Sequence, residues 1–196
     1  SAASDVYKRQ VVQIGYAGVE QLLEAGILAR HAGCGVRFAN AAGIYDDTVA
    51  EATLALLLAV LHRHKAVSRE WNQEQLFGET EYLFDAKKLA IIGAGGIGKK
   101  LIEFTAPFGV EITAVNRSGR DVSGADRTVA MGDVEAMEVV WSESDCVVLL
   151  APLTPETRHL VDATVLAKMR NNAVIVNVGR GAVSYTHLTL PTNREV

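Results

Sequence analysis

Residues 87–104 read KKLAIIGAGGIGKKLIEF, from Lys87 to Phe104, and the order of residue types in this stretch decides the fold. Leu89, Ala90, Ile91 and Ile92 form an unbroken apolar run, the signature of a strand buried on both faces of a parallel sheet. Gly93, Gly95 and Gly98 follow at G-x-G-x-x-G spacing, and Lys99 to Phe104 continues with helical periodicity. Each glycine has a role that a side chain would obstruct. Gly93 permits the tight strand-to-helix turn, Gly95 lets backbone approach a pyrophosphate, and Gly98 lets the helix lie close on its strand. The amides of Gly96 and Ile97 open the helix, where the positive end of the dipole favours phosphate. Glycines also cluster in ordinary turns, so the surroundings matter. A second strand, Glu111 to Val115, follows the turn residue Gly109 and completes a βαβ unit of the length dinucleotide binding requires.

Upstream, Val11–Ile14 (VVQI) reads as a strand, Gly15–Gly18 as a turn, and Val19–Arg30 as a helix with Leu22, Leu23 and Ile27 on one face. Val36–Ala39 reads as a further short strand and Asn40–Gly43 as a connection. Thr48 and Glu51 stand at capping-box spacing ahead of a helix whose apolar residues, Val49, Leu54, Leu56, Leu57, Leu58, Val60 and Leu61, nearly encircle it. Such a helix needs cover from a core or a second subunit, which suggests a homodimer. His62 and His64 would project to different sides of its polar end, a solvated terminus and not a metal pair. Trp71–Asp85 reads as a surface loop.

Downstream, Asp121–Arg127 reads as a loop, Asp133–Trp141 as a helix, Asp145–Leu150 as a buried strand, Asp162–Met169 as a helix and Ala173–Val178 as a strand. Strands alternating with helices predict an α/β, doubly wound parallel sheet (Rossmann type), with its ligand site at the carboxyl ends of the strands.

Composition narrows the function classes. The 196 residues are 49% hydrophobic and 21% charged, the balance of a soluble globular protein. A net charge of -4 gives no reason to expect nucleic acid or an anionic membrane surface as a partner. Cys34 and Cys146 lie far apart without ligand-like spacing, which suggests reduced thiols in a cytoplasmic setting and no metal. The apolar run Ala52–Leu61 is about half the length of a membrane span.

The end of the second strand, Val115-Asn116-Arg117-Ser118, bears on the choice of dinucleotide. A free ribose 2'-hydroxyl is held by an acid at this point, and a 2'-phosphate by a cation. Arg117 offers a planar fork and Ser118 a hydroxyl, so NADP fits better than NAD, although NAD remains possible. The alternative is that Arg117 is a solvated loop arginine.

Four segments together resemble the D-isomer-specific 2-hydroxyacid dehydrogenases, a family that includes glyoxylate/hydroxypyruvate reductases and phosphoglycerate dehydrogenase. They are Thr48–Arg63 (TVAEATLALLLAVLHR), the glycine loop, Asp145–Val161 (DCVVLLAPLTPETRHLV) and Asn171–Val183 (NNAVIVNVGRGAV). The resemblance implies hydride transfer between NADP(H) and a small 2-oxo or 2-hydroxy acid. It implies that residues 44–183 are an incomplete NAD(P)-binding domain and residues 11–43 a remnant of a flavodoxin-like substrate domain. Arg180 matches the catalytic arginine, which holds the substrate's carboxylate and 2-oxo group. Val178 and Gly179 match backbone beside the cofactor, and Ala151, Pro152 and Leu153 match the loop at its adenosine half. Ala17 and Gly18 match the turn that binds the substrate carboxylate, with Glu20 where the family usually has Asp. Asn116 stands where NAD-using members keep an acid. The family's histidine and glutamate acid/base pair lies downstream of the arginine segment and is not matched, so the chain reads as a fragment that binds cofactor and turns over poorly. Residues 1–10 and 184–196, including His187, read as leader and tail foreign to the fold. Two other readings stay open: a non-catalytic dinucleotide-sensing or partner-binding module, and the same fold with another nucleotide.

Overall fold

The computed structural model describes residues 11–31, 33, 35–67, 73–85 and 87–184. Residues 1–10, Cys34, Trp71, His187 and the tail beyond Ser184, on which several sequence expectations fall, lie outside the described residues. The chain divides into two compact units, Ser1–Asp46 and Asp47–Val196.

The first unit pairs two short parallel strands, β1 (Val11–Gln13) and β2 (Arg37–Ala39), with Val12 opposite Phe38. Between them the single expected helix is two: α1 (Glu20–Glu24) and α2 (Ile27–Arg30). Gly26 divides them by adopting a left-handed conformation at φ 65°, which glycine enters without steric cost. Leu23, expected on the apolar face, is 58% exposed.

The second unit is the doubly wound sheet. It contains α3 (Asp46–Leu61), α4 (His64–Val67), α5 (Gln73–Glu79), β3 (Lys88–Ile92), α6 (Gly96–Thr105), β4 (Glu111–Asn116), β5 (Arg127–Ala130), α7 (Val134–Glu143), β6 (Cys146–Leu149), α8 (Ala163–Lys168) and β7 (Val174–Asn177). The five strands are all parallel, in the order β5-β4-β3-β6-β7. From β3 the chain builds outward through β4 and β5, then returns to place β6 on the opposite flank of β3. The order therefore reverses between β3 and β6, and a crevice opens at the carboxyl ends of these two strands.

Period-two alternation sorts the strand residues onto two covered faces. Leu89, Ile91, Ile112, Ala114, Cys146, Val148, Val174 and Val176 pack with Ala50, Leu57 and Leu61 of α3 and with Leu101 and Ile102 of α6. Ala90, Ile92, Val115, Val147 and Leu149 pack with Met137, Val140 and Trp141 of α7. Burial on both faces is why β3 and β6 read as continuous apolar runs. It also pushes the Cys146 thiol up to about 12.

Several elements differ from the sequence reading. Helix α3 starts at Asp46, so Thr48 sits in the first turn and not at the cap, where Asp46 and Asp47 already complement the exposed amides. It buries one face, Ala50, Thr53, Leu57 and Leu61, and leaves Ala52, Ala55 and Leu56 exposed. Beyond Leu61 the chain turns at Arg63 (φ 53°), which brings the His62 and His64 rings to 5.7 Å, edge to face, in place of the expected divergence. Residues 73–79 are helical where a loop was expected, and β5 is a strand that the sequence reading lacks. The helices α7 and α8 begin as anticipated, with the Asp133 and Asp162 carboxylates accepting from the amides of Ala136 and Val165 at 3.0 and 2.9 Å. Among the described residues, no helix is long and apolar enough to cross a membrane.

Candidate functional site

Four loops meet the carboxyl edge of the sheet, those following β3, β4, β6 and β7. They carry most of the residues singled out by sequence. Gly93 ends β3 at φ 99°, a conformation that strains any L side chain. A Cβ built there would lie 2.5 Å from the Ala151 nitrogen and 2.8 Å from the Leu150 carbonyl carbon, so the loops after β3 and β6 touch backbone to backbone. Gly179, after β7, packs similarly: its Cβ would stand 3.0 Å from the Ala151 carbonyl oxygen. Gly98 lets α6 settle onto β3, with a virtual Cβ 3.2 Å from Ile91 Cγ2. Three of the glycines thus serve the protein's own packing.

Gly95 is different. A Cβ there would meet nothing within 4 Å, and its φ of -83° is open to any residue. It is the N-cap of α6, and no side chain caps that ten-residue helix. An uncapped helix start, bordered by exposed Gly96 and half-buried Ile97, leaves backbone donors at the switch point with room above them. This arrangement fits a pyrophosphate.

At the end of β4, the Asn116 carboxamide shapes the loop. Its Nδ2 donates to the Arg120 carbonyl at 2.6 Å, while Oδ1 accepts from the Ser118 amide at 3.0 Å and the Ser118 hydroxyl at 3.3 Å. Arg117 and Ser118 are exposed on this turn. Across the edge, the loop after β6 is tied by Thr157, whose hydroxyl donates to the Pro152 carbonyl at 2.6 Å and accepts from the Thr154 amide at 2.8 Å. Ala151 is buried, Pro152 exposed and Leu153 half-buried. In that loop the Glu156 carboxyl is held below its usual range, chiefly by the Thr154 hydroxyl, then by its own backbone amide, with the positive charge of Arg117 adding to the effect.

Arg180 is exposed in the loop after β7, and its guanidinium donates to the Gly179 carbonyl at 3.1 Å. The Gly179 amide already donates to the Leu149 carbonyl and to Asn177 Oδ1, and Val178 is half-buried beside it. His159, at φ 56°, donates its amide to the Ala182 carbonyl at 2.8 Å and so edges the same loop. Ala17 and Gly18 belong to the first unit, where Asn40 Nδ2 holds the turn through the Ala17 carbonyl at 2.8 Å. Sequence reasoning passed over Asn40 and Asn177. Asn177 carried a usable signal, an Asn at a strand end with Gly two residues on, the pattern of a side chain that closes a turn. Among the described residues no cluster of three or more metal-ligating side chains occurs.

Residues 54–187 match the family of the D-isomer specific 2-hydroxyacid dehydrogenase, NAD binding domain. The chain belongs to this family. Among curated proteins, an uncharacterized protein in the proB 3' region of Corynebacterium melassecola is 46% identical over 178 residues, spanning 89% of this chain and 56% of its own length. Glyoxylate reductase from Thermococcus litoralis is 31% identical, over 82% of this chain and 50% of that protein. Among solved structures, NAD-dependent formate dehydrogenase from Staphylococcus aureus in complex with NAD aligns with a TM-score of 0.68 at 25% identity, covering 90% of this chain and 59% of its own. The chain therefore spans about half the length of the curated relatives it matches.

Proposed function

We propose that the protein is an oxidoreductase that transfers a hydride between NADP(H) and a small 2-oxo or 2-hydroxy acid. The observation that carries this reading is the open, uncapped start of α6 at the switch point, with Arg117 exposed at the end of the neighbouring strand. In this reading the amides of Gly96, Ile97 and Gly98 hold the pyrophosphate. Arg117 and Ser118 hold the 2'-phosphate on the turn that Asn116 shapes, and Ala151, Pro152 and Leu153 flank the adenosine half. Val178 and Gly179 present backbone to the nicotinamide end. The bound dinucleotide supplies the hydride. Arg180 holds the substrate carboxylate, and its charge stabilises the negative charge that builds on the 2-oxo oxygen.

In the same reading residues 11–43 are part of a substrate domain and residues 44–183 the dinucleotide-binding domain. General acid/base catalysis typically contributes ~10² to 10⁴-fold, and the family's histidine and glutamate pair is not matched among the described residues, so we expect cofactor binding with slow turnover from this chain. The exposed Ala52, Ala55 and Leu56 of α3 support a homodimer through that helix.

Titration of the folded chain with NADPH and NADH, followed by quenching of its tryptophan fluorescence, tests the cofactor assignment. Arg117→Asp is expected to weaken NADPH binding roughly tenfold or more and to improve NADH binding. Equal NADPH affinity in the variant would remove the case for NADP, and absence of binding to either dinucleotide would remove the oxidoreductase reading.

A further inference from the structure

Asn177 is the last residue of β7, and its carboxamide reaches three points of the loop that follows. Oδ1 accepts from the Gly179 amide at 3.1 Å, and Nδ2 donates to the Arg180 carbonyl at 3.1 Å and to the Ser184 hydroxyl at 3.0 Å. The orientation of the amide follows from its partners. A backbone N–H only donates and a carbonyl only accepts, so the oxygen must face Gly179 and the nitrogen Arg180.

The remaining contacts of the loop fix its ends. Gly179 is anchored beneath by the Leu149 carbonyl at 3.0 Å, and Val183 receives the Val161 amide on its carbonyl at 3.2 Å. Between these anchors Arg180 is exposed, on backbone at φ -131° and ψ 137° that a residue holds equally well in many loop shapes. Of the contacts described for the Arg180 backbone, two reach its carbonyl: the Val183 amide at 2.9 Å from within the loop, and Asn177 Nδ2 from the strand. Of these two, it is the second that ties the carbonyl to a residue of β7.

We propose that Asn177 is a positioning residue for Arg180: its amide nitrogen fixes the Arg180 carbonyl relative to β7 and thereby sets where the guanidinium can meet a substrate carboxylate. The proposal rests on the assignment of Arg180 as the substrate-binding cation. It separates two jobs in one side chain. The Asn177 oxygen closes the turn at Gly179, and the nitrogen sets the arginine. Aspartate keeps the first and loses the second.

The test compares the full chain with Asn177→Ala, Asn177→Asp, Ser184→Ala and Arg180→Lys. Oxamate, a small planar carboxylate isosteric with a 2-oxo acid, is titrated in the presence of NADPH, and amide exchange at Gly179 and Gly181 is read by NMR. Asn177→Ala is expected to lose protection at Gly179 and about tenfold in oxamate affinity, with NADPH affinity changed less than about threefold. Asn177→Asp should restore protection at Gly179 without restoring oxamate affinity, and Ser184→Ala should bind oxamate as the unaltered chain does. Oxamate affinity in Asn177→Ala equal to that of the unaltered chain would overturn the proposal, as would a loss in Ser184→Ala as large as in Asn177→Ala. Failure of the underlying reading looks different: Arg180→Lys would then bind oxamate unchanged, while exchange at Gly179 would still respond to Asn177.

Discussion

The two edges of the five-stranded sheet are built from opposite materials. At the amino edge, charge meets charge. Lys87 pairs with Glu81 at 2.6 Å, Lys88 with Glu143 at 2.7 Å and Arg170 with Asp145 at 2.9 Å, while Asp145 also accepts from the Lys88 amide at 2.9 Å. Burial of Lys87 acts against its charge, but the Glu81 carboxylate outweighs it and the ammonium pKa is raised. At the carboxyl edge the contacts are glycine against backbone, and asparagine and threonine side chains folded onto their own loops. The first edge satisfies its own groups and closes; the second keeps backbone donors at the start of α6 pointed outward. A ligand with phosphates belongs at the second.

The largest expected effect breaks the carboxyl edge itself. Gly93→Ala places a Cβ against the Ala151 backbone in a left-handed conformation, and neither atom set can yield without moving a strand end. It should cost about 3 kcal/mol or more in denaturant unfolding and abolish dinucleotide binding together with stability. Gly95→Ala, two residues on, should separate these outcomes. Its Cβ enters open space, so stability should fall by less than about 1 kcal/mol. NADPH affinity should drop about tenfold, because the methyl group occupies room the pyrophosphate needs.

The contrast between Gly93 and Gly95 also marks what the sequence could and could not disclose. Pattern alone identified β3, the glycine turn, α6 and β4, because a two-face-buried strand and a glycine-spaced turn are local signals. It missed β5, a four-residue edge strand of which only Val129 is buried, too short for a period to register. It merged α1 and α2 because a glycine inside a helical pattern is tolerated as often as it breaks one, and only the positive φ of Gly26 decides. Within the site, the glycines and Arg117 were visible as residue types. Which glycine packs against protein and which faces open space was not, since Ala151 lies 58 positions from Gly93 and reaches it only through the sheet order.

A smaller effect sharpens the amino edge. The Cys146 thiol is raised by burial from 9.0 to about 12 in the folded chain. Between these values the unfolded chain releases a proton that the folded chain retains, so stability is unaffected below pH 9 and falls as pH rises above it. The loss by pH 10 is about 1.4 kcal/mol, measurable as a steeper alkaline decline in unfolding free energy that Cys146→Ala removes. Smallest of all is Lys88→Ala. The ammonium is exposed and its pair with Glu143 is screened, so the unfolding midpoint should barely move and NADPH affinity should not change.

The most direct measurement of which edge holds the ligand is an amide-resolved NMR titration of the folded chain with NADPH. Shifts are expected at residues 95–98, at 117–120 and at 178–180, with the amides of Lys87, Lys88, Asp145 and Arg170 unmoved. Shifts centred on the amino edge, or a folded chain whose spectrum ignores the dinucleotide, would contradict it.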